Sequence, residues 1–145
     1  MIKILCVGKI KENYLKELIN DYQKRISAYH KIEIVELKDS DIETESKEVL
    51  KNINEKDYNI LLDIKGKKYD SIELSNLINN AFINGYGTIT FIIGASNGVT
   101  EEVKKKCNLL LSFSDLTFPH GLFRGILLEQ IYRSFKIINN ESYHK

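Results

Sequence analysis

Segments typical of buried strands alternate with segments typical of amphipathic helices along the whole chain. We predict strands at Ile2–Val7, Ile32–Leu37, Tyr58–Ile64, Thr88–Ile93 and Leu109–Leu111. Helical spacing of apolar residues predicts helices over 14–26, 43–56, 74–82 and 122–138, and a short one from residue 100. This alternation favours an α/β fold with a mainly parallel sheet flanked by helices. No linker or repeat interrupts it, so we expect a single domain over 1–145.

The composition is that of an ordinary globular chain. Of the 145 residues, 43% are hydrophobic and 28% are charged, and the formal net charge is +1. A chain this close to neutral is not expected to coat polyanions through charge alone. The charge is uneven, because 1–31 and 120–145 are basic whereas 32–57 is acidic. An anionic partner is therefore expected to meet the two ends of the chain.

Neither the cysteines nor the apolar runs indicate an exported protein. Cys6 and Cys107 fit neither a zinc site nor a disulfide framework, so we expect both to be reduced thiols. The N-terminal run is too short for the core of a signal peptide. No apolar run approaches the roughly 20 residues that span a bilayer. We expect a soluble cytoplasmic protein.

Glycines follow several of the predicted strands. Gly8, Gly66 and Gly94 come after the first, third and fourth strands, and Pro119 lies in the loop after the fifth. Parallel sheets bind ligands beyond the carboxyl ends of their strands. Any one of these glycines alone is explained by a turn, but several at one edge of the sheet favour a ligand site.

The motifs of several enzyme classes are absent. One glycine, Gly8, stands where a dinucleotide-binding fold needs three, and no phosphate-binding loop occurs. Three histidines without clustered carboxylates argue against a catalytic metal. Ser96 lacks the flanking glycines of a nucleophile elbow. Three other segments stand out (61–67, 91–98 and 111–120), and their apolar side chains and backbone groups suit a purine ring.

These segments and the residues that follow them resemble the bacterial ribosomal RNA large subunit methyltransferase H family of the SPOUT superfamily. The resemblance covers essentially the whole chain. Its most specific parts are Leu116-Thr117-Phe118-Pro119-His120, Arg124, Glu129-Gln130, Tyr132-Arg133 and the ending Tyr143-His144-Lys145. Two positions depart from the family pattern, namely Ala95 where a second glycine is usual and Gly125 where a branched apolar residue is usual.

The resemblance implies a fold and an activity. The C-terminal part, within about 90–140, is expected to form a trefoil knot. The family transfers a methyl group from S-adenosylmethionine to N3 of a pseudouridine in large-subunit ribosomal RNA, acts as a homodimer and needs no metal. With a net charge of only +1, we expect the assembled ribosome as substrate. The cofactor-binding positions that carry over are Leu62, Gly94, Phe113, Ser114, Asp115, Leu116, Thr117 and Phe118.

Catalysis needs an acceptor for the N3 proton. His144 and His120 are the candidate bases, Glu129 is placed to orient one of them, and Tyr143 offers a ring for stacking on a base. The expected phosphate-binding residues are Arg124, Arg133 and Lys145. The tail 143–145 has no hydrophobic anchor after Ile138 and is expected to fray.

The last predicted helix carries two apolar faces. One face contains Phe123, Ile126, Leu127 and Ile131, and the other contains Leu128, Tyr132 and Phe135. The second face predicts that another copy of the chain covers it, which would bring the tail to the partner's cofactor site. Two other functions stay open at this stage: a nucleotide-sensing module without catalysis and a structural factor in ribosome assembly.

Overall fold

The computed structural model describes residues 1–145, in which five strands and five helices alternate. The elements are β1 (Ile2–Val7), α1 (Asn13–Ser27), β2 (Ile32–Leu37), α2 (Ile42–Asn52), β3 (Tyr58–Lys68), α3 (Ser71–Ile83), β4 (Ile89–Ile93), α4 (Glu101–Lys105), β5 (Leu109–Ser112) and α5 (His120–Ile138). The predicted α/β alternation is confirmed.

The five strands form one sheet in the order β2-β1-β4-β3-β5, and every neighbouring pair is parallel. The mainly parallel sheet that the sequence predicts is therefore wholly parallel. The carboxyl ends of the strands meet at one edge, which we call the carboxyl edge. β3 lies between β4 and β5, so the ends of these three strands are neighbours there.

Successive side chains of the central strands belong to two different cores. Ile4 and Cys6 of β1 lie in the core on the side of α1, α3 and α5, and Leu5 and Val7 lie in the core on the side of α2 and α4. Side chains of a strand alternate between its two faces, so the apolar run of β1 is buried on both faces. Cys6 and Cys107 are free, and burial raises the pKa of each thiol to about 11.

Two elements differ from their predicted bounds. α2 ends at Asn52 rather than near 56, because the Asn54 side chain accepts a hydrogen bond from the Lys56 N–H and holds a turn there. β3 continues past Ile64 to Lys68, so Gly66 lies inside the strand rather than after it. A side chain at Gly66 would meet the backbone of Leu110 in β5, because an added Cβ would lie 2.6 Å from its carbonyl carbon.

α5 crosses back over the sheet after β5 and packs against both α1 and α3. The approach to α1 is close, because a Cβ at Gly125 would lie 2.6 Å from Cδ2 of Leu18. Gly125, where the family usually has a branched residue, therefore allows the two helices to meet. Both predicted apolar faces of α5 are largely covered within the chain, including Leu128, Tyr132 and Phe135. The argument that the second face needs another copy is thus wrong.

None of the five helices combines the length and the apolar composition that a membrane-spanning helix requires.

The contact at Gly66 predicts a local loss of stability. Replacing Gly66→Ala adds a methyl group against the Leu110 backbone, which should lower the free energy of unfolding by about 1–3 kcal/mol. Gly87→Ala is the matched control, because no atom lies within 4 Å of its added Cβ. Urea denaturation of the two variants checks this, and equal midpoints for both would contradict the tight β3–β5 contact.

Candidate active site

A cavity of about 620 Å³ opens at the carboxyl edge of the sheet. Its walls are formed by 61–65 in β3, by 93–99 at and after the end of β4, and by residues between 111 and 118 at and after the end of β5. Lys104 of α4 and both His120 and Phe123 of α5 complete it. This volume lies within the range of about 300–1,000 Å³ that is usual for small-molecule sites. We call it the first cavity.

Most of the predicted cofactor residues line the first cavity. They are Leu62, Gly94, Phe113, Ser114, Leu116, Thr117 and Phe118. Asp115 does not line it. Its carboxylate forms an ion pair with Lys68, at 2.5 Å from Nζ, and its side chain is 80% exposed. Asp115 therefore joins the loop after β5 to the end of β3 instead of facing the cavity.

The loop after β4 turns tightly beside the cavity. The Gly98 N–H donates to the Ala95 carbonyl at 2.8 Å, and Gly98 has a φ of +79°, which favours glycine. A Cβ on Gly94 would lie 2.9 Å from Cγ1 of Val99. The loop over 94–99 thus closes on itself because position 94 carries no side chain.

Aromatic packing holds the loop after β5 against α5. The Phe123 ring of α5 meets Phe113 edge-on at a centroid distance of 5.1 Å and stacks on Phe118 at 5.9 Å. Leu116 is 72% exposed at the mouth of the cavity. The Leu116 N–H donates to the Ser114 hydroxyl at 3.0 Å, which fixes the turn between them.

Asp63 and Lys104 line the first cavity but were not among the predicted site residues. Their charged groups are 3.7 Å apart, and the Asp63 side chain is only 16% exposed. Asp63 also accepts a hydrogen bond from the Lys65 N–H at 2.8 Å. Hydrogen bonding to Glu101, together with the nearby Asp63 carboxylate, raises the pKa of Lys104. The sequence feature that could have identified Asp63 is its position as the first charged residue after the apolar run of β3.

The end of α5 and the chain terminus form a polar cluster. The Glu129 carboxylate accepts hydrogen bonds from Arg133 Nη2 at 2.5 Å and from the Tyr143 hydroxyl at 3.2 Å. Nη1 of Arg133 lies 3.1 Å from Nδ1 of His144. Four predicted site residues thus come together, and Glu129 contacts His144 only through Arg133. We call Glu129, Arg133, Tyr143 and His144 the tail cluster.

The tail is anchored, which corrects the expectation that it frays. The Tyr143 ring packs edge-on against Tyr132, with centroids 5.1 Å apart, and lies under the Arg133 guanidinium at 4.7 Å. Burial, with hydrogen bonds to Tyr22 and Glu129, raises the pKa of Tyr143 to about 12. At neutral pH its hydroxyl is therefore a hydrogen-bond donor rather than a base. Lys145 is exposed at the end of the chain.

The tail cluster lies away from the first cavity of its own chain. None of its four residues lines the cavity, whereas His120 at the start of α5 does. Glu129 comes nine positions after His120 in the same helix, a rise of roughly 14 Å at about 1.5 Å per residue. The predicted catalytic residues are therefore divided between two places in one chain.

Arg124 has a structural position, and this corrects its predicted role as a phosphate ligand. Its side chain is only 4% exposed, and Nη1 lies 2.6 Å from the Glu36 carboxylate. Nη2 donates to the Gly8 carbonyl at 3.1 Å. A guanidinium that is buried and paired in this way does not reach a phosphate on the surface. The pairing was not visible in the sequence, because Glu36 and Arg124 are 88 positions apart.

His120 lies where two cavities meet. Besides the first cavity it lines a second one, of about 460 Å³, between the carboxyl end of β1 and the starts of α1 and α5. Ala95 and Ser96 also line both cavities. No group of histidine, cysteine and acidic side chains in the chain is arranged to hold a metal ion.

Comparisons with known proteins give a consistent result. A family model described as "Predicted SPOUT methyltransferase" matches residues 1–144. A protein of Methanococcus vannielii named putative ribosomal RNA large subunit methyltransferase H is 47% identical over 99% of each chain. Ribosomal RNA large subunit methyltransferase H of Acetivibrio thermocellus is 46% identical, also over 99% of each chain.

A solved structure supports the fold. A probable methylase family protein from Haemophilus influenzae aligns with 99% of this chain and 70% of its own, with a TM-score of 0.58. Its sequence is 12% identical, so the similarity concerns the fold alone.

The first cavity fits S-adenosylmethionine, the cofactor that the sequence resemblance implies. Phe113, Phe118 and Leu62 offer apolar walls for an adenine ring. The Asp63 carboxylate offers oxygen acceptors for the hydroxyl groups and positive charge of the cofactor. The loop over 94–99, with its small residues, allows a close approach of its backbone.

The close contact at Gly94 predicts that a larger side chain at this position prevents the cofactor from binding. Gly94→Val places a branched side chain against Val99 and forces the loop over 94–99 to move. A buried steric conflict of this kind costs about 3 kcal/mol. Affinity for S-adenosylmethionine should therefore fall at least about 100-fold. Titration calorimetry measures this, with Gly87→Val as the control because its Cβ meets nothing within 4 Å. Unchanged affinity in a folded Gly94→Val protein would place the cofactor elsewhere.

Proposed function

The chain belongs to the SPOUT methyltransferase family, and from that premise we propose that it methylates N3 of a pseudouridine in large-subunit ribosomal RNA. SPOUT methyltransferases use S-adenosylmethionine. The observation that carries the proposal is the near-complete match to proteins named ribosomal RNA large subunit methyltransferase H. The first cavity supports it, because all but one of the residues that the resemblance assigns to the cofactor line it.

The chain's own residues have two tasks in this reaction. When bound, S-adenosylmethionine supplies an already activated methyl group on a positively charged sulfur. The protein has to hold N3 of the base in line with that methyl group and to take up the proton that N3 gives up. His120 is exposed where the two cavities meet, so its imidazole is placed to accept this proton and pass it to water.

We propose that the tail cluster serves the cofactor cavity of a second copy of the chain. The cluster holds His144 and Tyr143, yet it lies away from the first cavity of its own chain. A homodimer in which the tail of one copy reaches the cavity of the other would unite them. Arg133 and Lys145 then face the RNA backbone, and Glu129 fixes Arg133. The apolar Leu116 side chain, exposed at the mouth of the cavity, is placed to contact that partner.

The remaining parts of the proposal concern the fold and the substrate. We propose that 1–145 is one domain whose trefoil knot lies within about 90–140, where the chain leaves β5 at the edge of the sheet and returns between α1 and α3.

The substrate proposed is the assembled ribosome in the cytoplasm. A net charge of +1 gives little general attraction to RNA, so recognition has to rest on shape as well as charge.

Methyl transfer in vitro tests the proposed function. Ribosomes from cells that lack the gene should incorporate label from methyl-labelled S-adenosylmethionine, and digestion should release N3-methylpseudouridine. Naked ribosomal RNA should accept label at least about tenfold more slowly, because it lacks the assembled surface. Ribosome binding without transfer would instead identify an assembly factor, and cofactor binding without either activity would identify a sensor.

Deleting 143–145 tests the role of the tail. Affinity for S-adenosylmethionine should stay unchanged, because no tail residue lines the first cavity. Methyl transfer should fall at least about fivefold, because the deletion removes the Tyr143 ring and the Lys145 ammonium that contact the RNA, and one stacked base is worth about 1–3 kcal/mol. Ser142→Ala is the control, since it leaves the tail in place. Full activity of the shortened enzyme would contradict the proposal.

Mixing the shortened chain with the Gly94→Val chain tests whether the site is shared. In a mixed dimer, the shortened chain supplies an intact cavity and the Gly94→Val chain supplies an intact tail. Activity should therefore recover in part. No recovery, in a mixture that forms mixed dimers by native mass spectrometry, would confine each site to one chain.

A further inference from the structure

We propose that the second cavity receives the target pseudouridine, with Tyr14 stacking on the base and Asp39 recognising its N1–H group. The inference rests on the proposed function and assigns a substrate site to residues outside the cofactor cavity. The second cavity has a volume of about 460 Å³ and is lined by 7–10, by Tyr14 of α1, by Asp39 after β2 and by the start of α5.

The position of the second cavity suits the acceptor of a methyl group. It shares Ala95, Ser96 and His120 with the first cavity. Two of these three residues are small, so the dividing wall is thin. A methyl donor held in the first cavity needs a neighbouring space into which an extruded base fits, because an enzyme cannot reach a base atom that stays stacked in RNA. The second cavity offers that space, with His120 at the junction.

The second cavity exposes an aromatic ring. Tyr14 lines it, and the residue is 69% exposed although its side chain is large and mostly apolar. The side chain belongs to neither apolar core of the chain. Exposed aromatic rings beside a basic segment are the usual platforms on which proteins stack single RNA bases. Tyr14 lies in the basic segment 1–31 and has the geometry of such a platform.

Two opposite charges face the same space. Lys9 and Asp39 both line the second cavity, and neither takes part in any of the nine ion pairs of the chain. The Asp39 carboxylate lies beside Gly8, with Oδ1 3.4 Å from the place of an added Cβ. An ammonium suits the carbonyl oxygens of a uracil ring or a phosphate, and a carboxylate suits a ring N–H group.

The carboxylate distinguishes pseudouridine from uridine. Both bases have an N3–H group, but only pseudouridine also has an N1–H group, because its ring is joined to the sugar through carbon. A carboxylate that accepts from N1–H loses this hydrogen bond when uridine is bound, and sites built around a hydrogen bond reject analogues that lack it. Asp39 is the specificity residue in this arrangement.

The buried pair of Arg124 and Glu36 holds the floor of the second cavity. Arg124 donates to the Gly8 carbonyl at 3.1 Å, and the Glu36 carboxylate accepts from the Ile10 N–H at 3.2 Å. The backbone on both sides of Lys9 is therefore fixed by one ion pair. Arg124 is a positioning residue for the substrate cavity, and this explains its burial.

Kinetics with unmethylated ribosomes test the stacking. Tyr14→Ala should lower kcat/KM at least about fivefold, the smaller end of measured losses for one base stacked on an aromatic ring. Tyr14→Phe should keep most of the activity, and affinity for S-adenosylmethionine should not change in either variant. Ile83→Ala is the control, because Ile83 is 71% exposed at the end of α3 and lines neither cavity.

Ribosomes that carry uridine instead of pseudouridine at the target test the role of Asp39. The unaltered enzyme should methylate the pseudouridine form at least about tenfold faster. Asp39→Ala should reduce that ratio towards one, mainly by slowing transfer to pseudouridine. An unchanged ratio in Asp39→Ala overturns the assignment of Asp39, whereas failure of the unaltered enzyme on both substrates counts against the proposed function itself.

Photo-crosslinking gives a readout that does not depend on turnover. Tyr14→p-benzoylphenylalanine, bound to unmethylated ribosomes in the presence of S-adenosylhomocysteine, should crosslink to the target nucleotide or its immediate neighbours. Ile83→p-benzoylphenylalanine should not. A crosslink from position 14 to a second copy of the chain, or a monomeric mass for Tyr14→Ala where the unaltered protein is a dimer, overturns the inference.

Discussion

The parallel pairing of β3 with both β4 and β5 is the constraint on which the active site depends. It brings three carboxyl ends side by side, and the loops that leave them have to share one edge of the sheet. Gly66 permits the β3–β5 contact, because any side chain there would meet the Leu110 backbone. The first cavity is the space that these three ends enclose.

Two interactions then connect this edge to the rest of the chain. Phe123 holds the loop after β5 against α5 by contacts with two phenylalanine rings. Arg124 is the next residue, and its side chain points in the opposite direction. It forms hydrogen bonds to Glu36 of β2 and to the Gly8 carbonyl after β1. Neighbouring residues of one helix thus shape two cavities, and His120, one turn earlier, lines both. A methyl donor in the first cavity and an acceptor in the second would therefore lie next to each other.

Periodicity predicted nearly all the helices and strands, because runs such as Ile2–Val7 are buried on both sheet faces and α5 has long apolar stripes. The family motif assigned a set of residues to the cofactor, and most of them line the first cavity. Contacts between residues that are far apart in the sequence could not be predicted. Arg124 looked available to phosphate because Glu36, which buries it, lies in another strand. The tail looked free because its anchors, Tyr132 and Glu129, become visible only once α5 is folded. The second apolar face of α5 is covered by neighbouring helices whose order the sequence does not reveal.

A crystal structure of the protein with S-adenosylhomocysteine tests the central claim most directly. The account predicts that the adenine lies in the first cavity near Phe113 and Phe118, with the sulfur turned towards Ala95, Ser96 and His120. In that orientation the methyl group of the cofactor would face the second cavity. A ligand bound elsewhere, or a sulfur turned away from His120, would contradict the arrangement of donor and acceptor cavities described here.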